Sequence, residues 1–135
     1  MSNQEQMLAI AELLKSIEAR NFIVEAGKND TFKPSSGMKS EAKRGLAWVK
    51  EHGRGGTNIG RGRATDIVAG RDMSYSTVKR MKAFFDRHQS DKKGKGWSPG
   101  EEGYPSNGRI AHALWGGNAG YSWSKRIVQS VEGSK

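Results

Sequence analysis

The stretch with the clearest potential for chemistry covers residues 52–63 and reads HGRGGTNIGRGR, with five glycines and three arginines in twelve residues. Within it, Gly55 and Gly60 have the spacing of the phosphate-binding P-loop, G-x-x-x-x-G-K-[ST]. Arg61 stands where that loop has its lysine, and Gly62 stands where it has the hydroxyl that holds magnesium. Because both chemically active positions differ, and because the preceding segment has a helical rather than a strand pattern, nucleotide hydrolysis is not predicted.

Two interpretations of this stretch stay open, and they are compatible. In the first, Arg54, Arg61 and Arg63 reach phosphate oxygens, while the glycines let main-chain N–H groups approach the same anion. In the second, the stretch connects two helices, and its glycines adopt left-handed backbone angles. The dinucleotide-binding pattern G-x-G-x-x-G is not met, because its last position is Asn58.

Other residue types that support catalysis show no productive spacing. His52, His88 and His112 have no metal-ligand spacing with one another or with carboxylates, and the nucleophile motif G-x-S-x-G does not occur. We interpret each histidine as an ordinary surface or capping residue. Glu101 and Glu102 fall in a loop and do not suggest a paired-carboxylate site. The chain also contains no cysteine. No catalytic residue, metal site or cofactor is therefore predicted, and an enzyme is the least favoured class of function.

The charge distribution indicates a polyanionic partner. The net charge is +9, and residues 31–96 carry sixteen lysines and arginines against six acidic residues. Residues 1–30 carry three against five, so the positive excess lies in the centre of the chain. Such a block favours contact with nucleic acid, and the alternative is a solvated basic face that aids solubility. The predicted nucleic-acid-binding residues are Lys43, Arg54, Arg61, Arg63, Lys79, Arg80, Lys92, Lys93 and Lys95.

Hydrophobic spacing divides the chain into an amphipathic N-terminal helix (1–26), a linker (27–37) and a basic helical domain (38–135). The helix is predicted over residues 3–20, where apolar residues recur at spacings of three and four. These residues are Met7, Ile10, Leu13, Leu14 and Ile17. A short amphipathic helix is marginal in isolation, so we expect it to dock on the domain or to pair with another chain.

The domain is predicted to be all-α and compact, with about five to six helices in the chain and long glycine-rich loops. Its first helix is predicted to begin after Ser35 or Ser36. Further helices are predicted over residues 63–69, 75–88, 108–115 and 119–131. A polar loop covers residues 89–108, and we expect Trp97 and Tyr104 to anchor it, because an ordered loop of that length needs anchors.

Residues 64–85 have some features of a helix-turn-helix motif. A short predicted helix is followed by Gly70 and then by a second helix with Ser74 as its N-cap. In that motif the start of the second helix would face a DNA groove. The residues concerned are Tyr75, Ser76, Thr77, Lys79 and Arg80. The alternative is a plain helical hairpin without a recognition role.

Three consecutive blocks of sequence carry a resemblance to a known family. They read GMKSEAKRGLAWVKEHGRGGT, GRATDIVAGRDMSYSTVKRMKAFFDRH and GWSPGEEGYPSNGRIAHALWGGNAGYSWSKRIV. Over residues 34–128 the chain resembles a small domain of tailed-phage and prophage proteins, which occurs alone or beside capsid-maturation-protease or head-protein segments. The resemblance implies a phage-encoded protein related to the virion or its assembly. It brings no assigned reaction and no catalytic residue.

Two functions are therefore expected. The first is a non-enzymatic phage protein that binds nucleic acid, DNA rather than RNA, through its basic face. The alternative is a structural or assembly module of a phage particle that contacts phage head proteins and self-associates through residues 3–20. The sequence has no apolar run long enough to cross a bilayer, and its first residues lack the pattern of a signal peptide. We expect the protein in the host cytoplasm, in the virion, or in both.

Overall fold

Five α-helices and one two-stranded sheet make up the described part of the chain. The structure is a computed structural model that describes residues 28–133, so the helix predicted over residues 3–20 lies outside the described residues. The helices are α1 (Ser36–His52), α2 (Asn58–Val68), α3 (Tyr75–Arg87), α4 (Asn107–Leu114) and α5 (Gly117–Glu132). Strand β1 (Thr31–Phe32) pairs antiparallel with β2 (Met73–Ser74). The predicted all-α class is confirmed.

Hydroxyl side chains fix where the first four helices begin. The side chains of Ser35, Thr57, Ser74 and Ser106 each accept a hydrogen bond from the backbone N–H three residues further on. This bond satisfies one of the N–H groups that a helix leaves unpaired at its start. The predicted starts at Ser35 and Ser74 are therefore confirmed. Helix α5 has no side-chain cap and instead follows Gly116, whose φ of 107° favours glycine.

The core forms where α1 packs against α2, α4 and α5, while α3 packs against α5. Its buried members are Met38, Ala42, Ala64, Ile67, Met73, Val78, Met81, Ile110, Leu114 and Trp123. At the crossing of α1 and α4, a Cβ atom on Gly45 would lie 2.8 Å from the backbone nitrogen of Leu114. Glycine is therefore the residue that allows these two helices to approach so closely.

The last residues of the predicted linker 27–37 are attached to the domain. Phe32 of β1 packs against the core, and the indole nitrogen Nε1 of Trp123 donates a hydrogen bond of 3.0 Å to the carbonyl oxygen of Lys33. Helix α1 already begins at Ser36. A glycine- and serine-rich composition predicted a connection here, but it did not reveal these tertiary contacts.

Helix α2 begins at Asn58, five residues before the predicted start at residue 63. The prediction was wrong because a glycine-rich stretch favours a connection over a helix. Both Gly60 and Gly62 lie inside α2, and a Cβ atom on Gly60 would lie 3.2 Å from Nε1 of Trp115. Packing against that ring outweighs the cost of about 1 kcal/mol that glycine carries in a helix. The glycine-rich connection is therefore shorter than the sequence suggested.

A compact helix-turn-helix hairpin is not formed by residues 64–85. Strand β2 lies between α2 and α3, and its pairing with β1 separates the two helices. Helix α2 packs chiefly on α1 and α4, whereas α3 packs on α5. Tyr75, predicted to face a DNA groove, is only 5% exposed and lies 6.4 Å, ring to ring, from Phe32. The recognition-helix interpretation was therefore wrong for this residue.

The long polar loop after α3 is held by aromatic contacts, as predicted. It begins with a 3₁₀ helix, Gln89–Lys93. Further on, the ring of Trp97 meets His112 edge-on at 5.0 Å, and the ring of Tyr104 meets Trp48 at 5.7 Å. Among residues 28–133, no helix combines the length and the apolar content needed to span a membrane.

Candidate functional site

A groove of about 610 Å³ opens between α2, α3 and α4. Its lining is largely apolar. The apolar side chains are those of Ile59, Ala83, Phe84, Ala111 and Trp115. The side chain of Ile59 is 69% exposed, which makes it an unusual large apolar residue on the surface of the described chain. Concave apolar surfaces of this size are typical of binding sites rather than of inert surface.

Stacked rings form one wall of the groove. The ring of Phe84 lies 4.5 Å from that of Trp115, with an angle of 10° between their planes. On α3, the ring of His88 lies 4.5 Å from that of Phe84. The guanidinium carbon of Arg63 lies 5.7 Å from the centre of the Trp115 ring, a cation–π distance. These contacts hold the wall in a fixed orientation.

Arginines border this apolar wall. Arg80 and Arg87 line the groove from α3, and their spacing of seven residues, two helical turns, puts them on one face of that helix. From the other side, Nη1 of Arg54 donates a hydrogen bond of 2.7 Å to Oδ1 of Asn107, which also lines the groove. Within residues 28–133, no carboxylate forms an ion pair with any of these three arginines.

Two helices begin at the edge of the groove. Thr57, the N-cap of α2, and the first residues of α4, Asn107 and Gly108, all belong to its lining. Helix N-termini carry a partial positive charge, so they add to the field of the arginines. The groove also contains one carboxylate, Asp91, which lies 3.1 Å from Nδ1 of His88. The groove is therefore apolar at its base and predominantly positive at its rim.

The connection at residues 53–57 supports this arrangement by close packing. Gly55 and Gly56 have φ values of 97° and 73°. Cβ atoms there would lie 2.6 Å from Cγ2 of Ile110 and 2.3 Å from Cδ1 of Leu114. The glycines thus let the connection lie directly on α4, which brings Arg54 to Asn107. The interpretation as a joint with left-handed glycines is confirmed at Gly55 and Gly56, and phosphate binding by its arginines stays a prediction.

The residues predicted from sequence divide into two groups. Arg80 lines the groove, Arg54 is hydrogen-bonded to the groove residue Asn107, and Arg61 and Arg63 lie on α2. Arg61 donates a hydrogen bond to Asn58. The side chain of Arg63 is only 17% exposed and lies 4.0 Å from a carboxylate oxygen of Asp66. Arg63 therefore contributes more to the wall around Trp115 than to the exposed rim.

The five predicted lysines are not among the groove residues. Lys43 is exposed on α1, and Lys93 is exposed at the end of the 3₁₀ helix. Lys79 lies 3.7 Å from Glu132, and Lys95 lies 3.0 Å from Glu102, so each pairs with a carboxylate. Lys92 lies over the ring of Tyr121 at 5.9 Å. These lysines are spread over several surfaces of the domain.

Arg87 and Ile59 line the groove but were not predicted from the sequence as site residues. Arg87 is not among the predicted binding residues, although its spacing of seven residues from Arg80 predicts a shared helix face. Ile59 fell in a stretch that was interpreted as an irregular connection, so its helical position and exposure could not be foreseen. The groove itself depends on how α2, α3 and α4 meet, which no local pattern encodes.

His112 is a buried histidine, so its interpretation as a surface or capping residue was wrong. It is 6% exposed, and Nε2 lies 3.2 Å from Oδ1 of Asn118, which can only accept a hydrogen bond. Burial, with smaller contributions from the nearby charges of Arg109 and Lys92, lowers its pKa to about 4. His112 is therefore neutral at pH 7 and stabilises the packing between α4 and α5. His88, in contrast, is the C-terminal cap of α3, as predicted.

Comparisons with protein-family models, with curated proteins and with solved structures find no match for this chain. The expected relation to phage proteins therefore stays a proposal.

Proposed function

We propose that this chain is a non-enzymatic nucleic-acid-binding protein of phage origin, with DNA as its preferred partner. The observation that carries the proposal is the set of arginines around the groove, namely Arg54, Arg80 and Arg87, with Arg61 beside them. Among residues 28–133 none of these three groove arginines forms an ion pair with a carboxylate, and arginine binds phosphate oxygens with paired hydrogen bonds.

Electrostatics supports a polyanion rather than a small anion. The described chain carries the positive excess of the whole protein, and the helix N-termini at the groove add to it. Phosphates along a nucleic acid backbone can be contacted by several arginines at once, and each contact releases counterions. Because contacts with phosphates carry no sequence information, we expect the affinity to depend only weakly on the base sequence of the nucleic acid.

A salt titration tests this proposal. Binding to duplex DNA, single-stranded DNA and RNA of equal length would be measured by fluorescence anisotropy at about 50 mM and about 200 mM salt. Contacts with three phosphates give a slope of about −2.7 in a plot of log K against log salt concentration for duplex DNA. No binding to any of the three at the lower salt concentration contradicts the proposal. Tighter binding to RNA contradicts only the preference for DNA.

A matched pair of double variants locates the contacts. Arg80→Ala with Arg87→Ala removes two charges seven residues apart from the groove, and should reduce the salt slope by about 1.8. Lys43→Ala with Lys50→Ala removes two charges at the same spacing from exposed positions of α1. This control should change affinity much less. Equal losses in both variants would show that the net charge, rather than the groove, attracts the nucleic acid.

The alternative function is a structural or assembly module of a phage particle that acts through protein contacts. The observation that favours it is the exposed side chain of Ile59 beside the apolar wall. Exposed apolar surface next to a concave wall is typical of protein-binding sites. Loss of association with phage head proteins in an Ile59→Ser variant, with nucleic acid binding unchanged, would favour this alternative.

A further inference from the structure

The groove has the chemistry of a receptor for an amphipathic helix with acidic side chains. Its base offers Ala83, Phe84 and Trp115, with Ile59 exposed beside them, and Arg80 and Arg87 border the apolar surface. A helix that fits such a groove inserts apolar residues at spacings of three and four and directs carboxylates towards the rim. The phosphates of a nucleic acid would contact only the arginines at the rim. The apolar base is therefore better matched by a ligand with apolar side chains.

The chain itself contains a segment with that chemistry. Residues 3–20 carry an apolar stripe, from Met7 to Ile17, together with Glu5, Glu12 and Glu18. Residues 1–27 have a net charge of −2, whereas residues 28–135 have a net charge of +11. The segment and the groove are thus complementary both in charge and in apolar character.

The point where this segment joins the domain lies close to the groove. Lys28, the first described residue, lines a second hollow together with Ser76, Lys79 and Arg80. Arg80 also lines the groove, so one side chain connects the two surfaces. Seven residues, 21–27, separate a helix over residues 3–20 from Lys28. Seven extended residues span up to about 25 Å, and a helical stripe from residue 7 to residue 17 needs about 15 Å.

We infer that residues 3–20 form an amphipathic helix that docks in the groove of the same molecule. The stripe lies against Ile59 and Trp115, and Glu18, at the edge of the stripe, faces the arginine rim. The inference does not depend on nucleic acid binding, because it follows from the apolar base, the complementary charges and the position of Lys28. A docked helix would cover Arg80 and Arg87, so polyanions would have to displace it.

A single spin label tests where the segment lies. The chain has no cysteine, so Ser16→Cys, outside the apolar stripe, provides one attachment point. A nitroxide there should broaden the amide signals of Ile59, Ala83 and Ala111 more than those of Lys43 and Lys50, which are exposed on α1. Equal broadening of both sets, or broadening of neither, would overturn the inference.

Hydrogen exchange tests the contacts on each side separately. Ile10→Ser with Leu14→Ser should accelerate amide exchange in residues 7–17 about tenfold or more, because two apolar contacts are lost. Leu8→Ser, in the same segment but outside the stripe, is the matched control and should leave the exchange nearly unchanged. Ile59→Ser should have the same effect as the double variant, and its exposure predicts that the domain stays folded.

Protein concentration distinguishes docking within one molecule from exchange between molecules. Protection of residues 7–17 that is independent of concentration, in a chain that sediments as a monomer, supports the inference. Protection that grows with concentration together with a dimer would assign the groove to the segment of a second copy and overturn intramolecular docking. Since none of these samples contains nucleic acid, a failure of DNA binding leaves the outcome unaffected.

Discussion

Buried His112 should make the stability of the domain depend on pH. In the folded protein its pKa is lowered to about 4, mainly by burial, and the charge of Arg109 is the next contribution. In the unfolded chain the pKa returns to 6.5, the ordinary value of a histidine side chain. Below about pH 6.5 the unfolded chain therefore binds a proton that the folded chain does not bind. This difference lowers the free energy of unfolding as pH falls towards 4.

The size of this effect follows from the difference between the two pKa values. One pKa unit corresponds to about 1.36 kcal/mol, so a difference of about 2.5 units sets a limit of about 3 kcal/mol. Between pH 7 and pH 4.5 the expected loss is about 2–3 kcal/mol from this residue alone. Such a loss is a large part of the 5–15 kcal/mol that typically stabilises a small domain.

Urea unfolding at pH 7 and pH 4.5 measures the effect, with His112→Gln as the matched control. Glutamine keeps an N–H donor for Asn118 but does not titrate in this range. The carboxylates titrate in both proteins, so the pH-dependent difference between them isolates the histidine. The variant should lose about 2–3 kcal/mol less than the wild type. Equal losses, or an NMR titration of the His112 ring with a midpoint near pH 6.5, would refute the reasoning.

Four further substitutions concern positions where geometry decides stability, and each is checked by urea unfolding. Gly45→Ala should destabilise the domain by about 1–3 kcal/mol, because its Cβ would lie 2.8 Å from the Leu114 backbone. Gly62→Ala, also in a helix but with nothing within 4 Å, should instead stabilise it by up to about 1 kcal/mol, and equal effects would contradict the packing argument. Gly55→Ala should destabilise by about 1–3 kcal/mol, since its φ is 97°; an unchanged midpoint would show that the connection relaxes. Ser106→Ala should cost about 1 kcal/mol by removing the cap of α4, unless another group accepts from Arg109 N–H.

Local patterns predicted the helices well where hydroxyl caps and apolar stripes agreed. Helix α3 is the clearest case, because Ser74 caps it and its apolar residues Val78, Met81, Phe84 and Phe85 are buried. The prediction failed where a distant contact outweighed a local preference. Gly60 looked like a helix breaker, yet it lies within α2 because the neighbouring ring of Trp115 leaves little space for a side chain.

The candidate site illustrates a different limit. The net charge of the chain predicts that it attracts a polyanion. It does not show which lysines and arginines lie around the same groove. Arg54 reaches the groove residue Asn107 because Gly55 and Gly56 let their connection lie on α4, and Arg80 lines the groove from α3. Lysines that dominate the sequence at residues 92–95 instead meet Tyr121, Glu102 or solvent.

The arginine rim favours a ligand with negative charge, whereas the apolar base favours a ligand with apolar side chains. These two preferences bear on which function the groove supports. Phosphate binding improves when arginines are exposed, whereas burial of Ile59 and its neighbours requires an apolar partner that excludes water. An acidic amphipathic helix meets both demands at once, and a nucleic acid backbone meets only the first. A protein that binds nucleic acid through this groove would therefore do so in competition with such a helix. Polyanion affinity should then rise when residues 1–27 are removed, although the net charge changes by only two. A decrease would instead indicate that the segment contributes to binding.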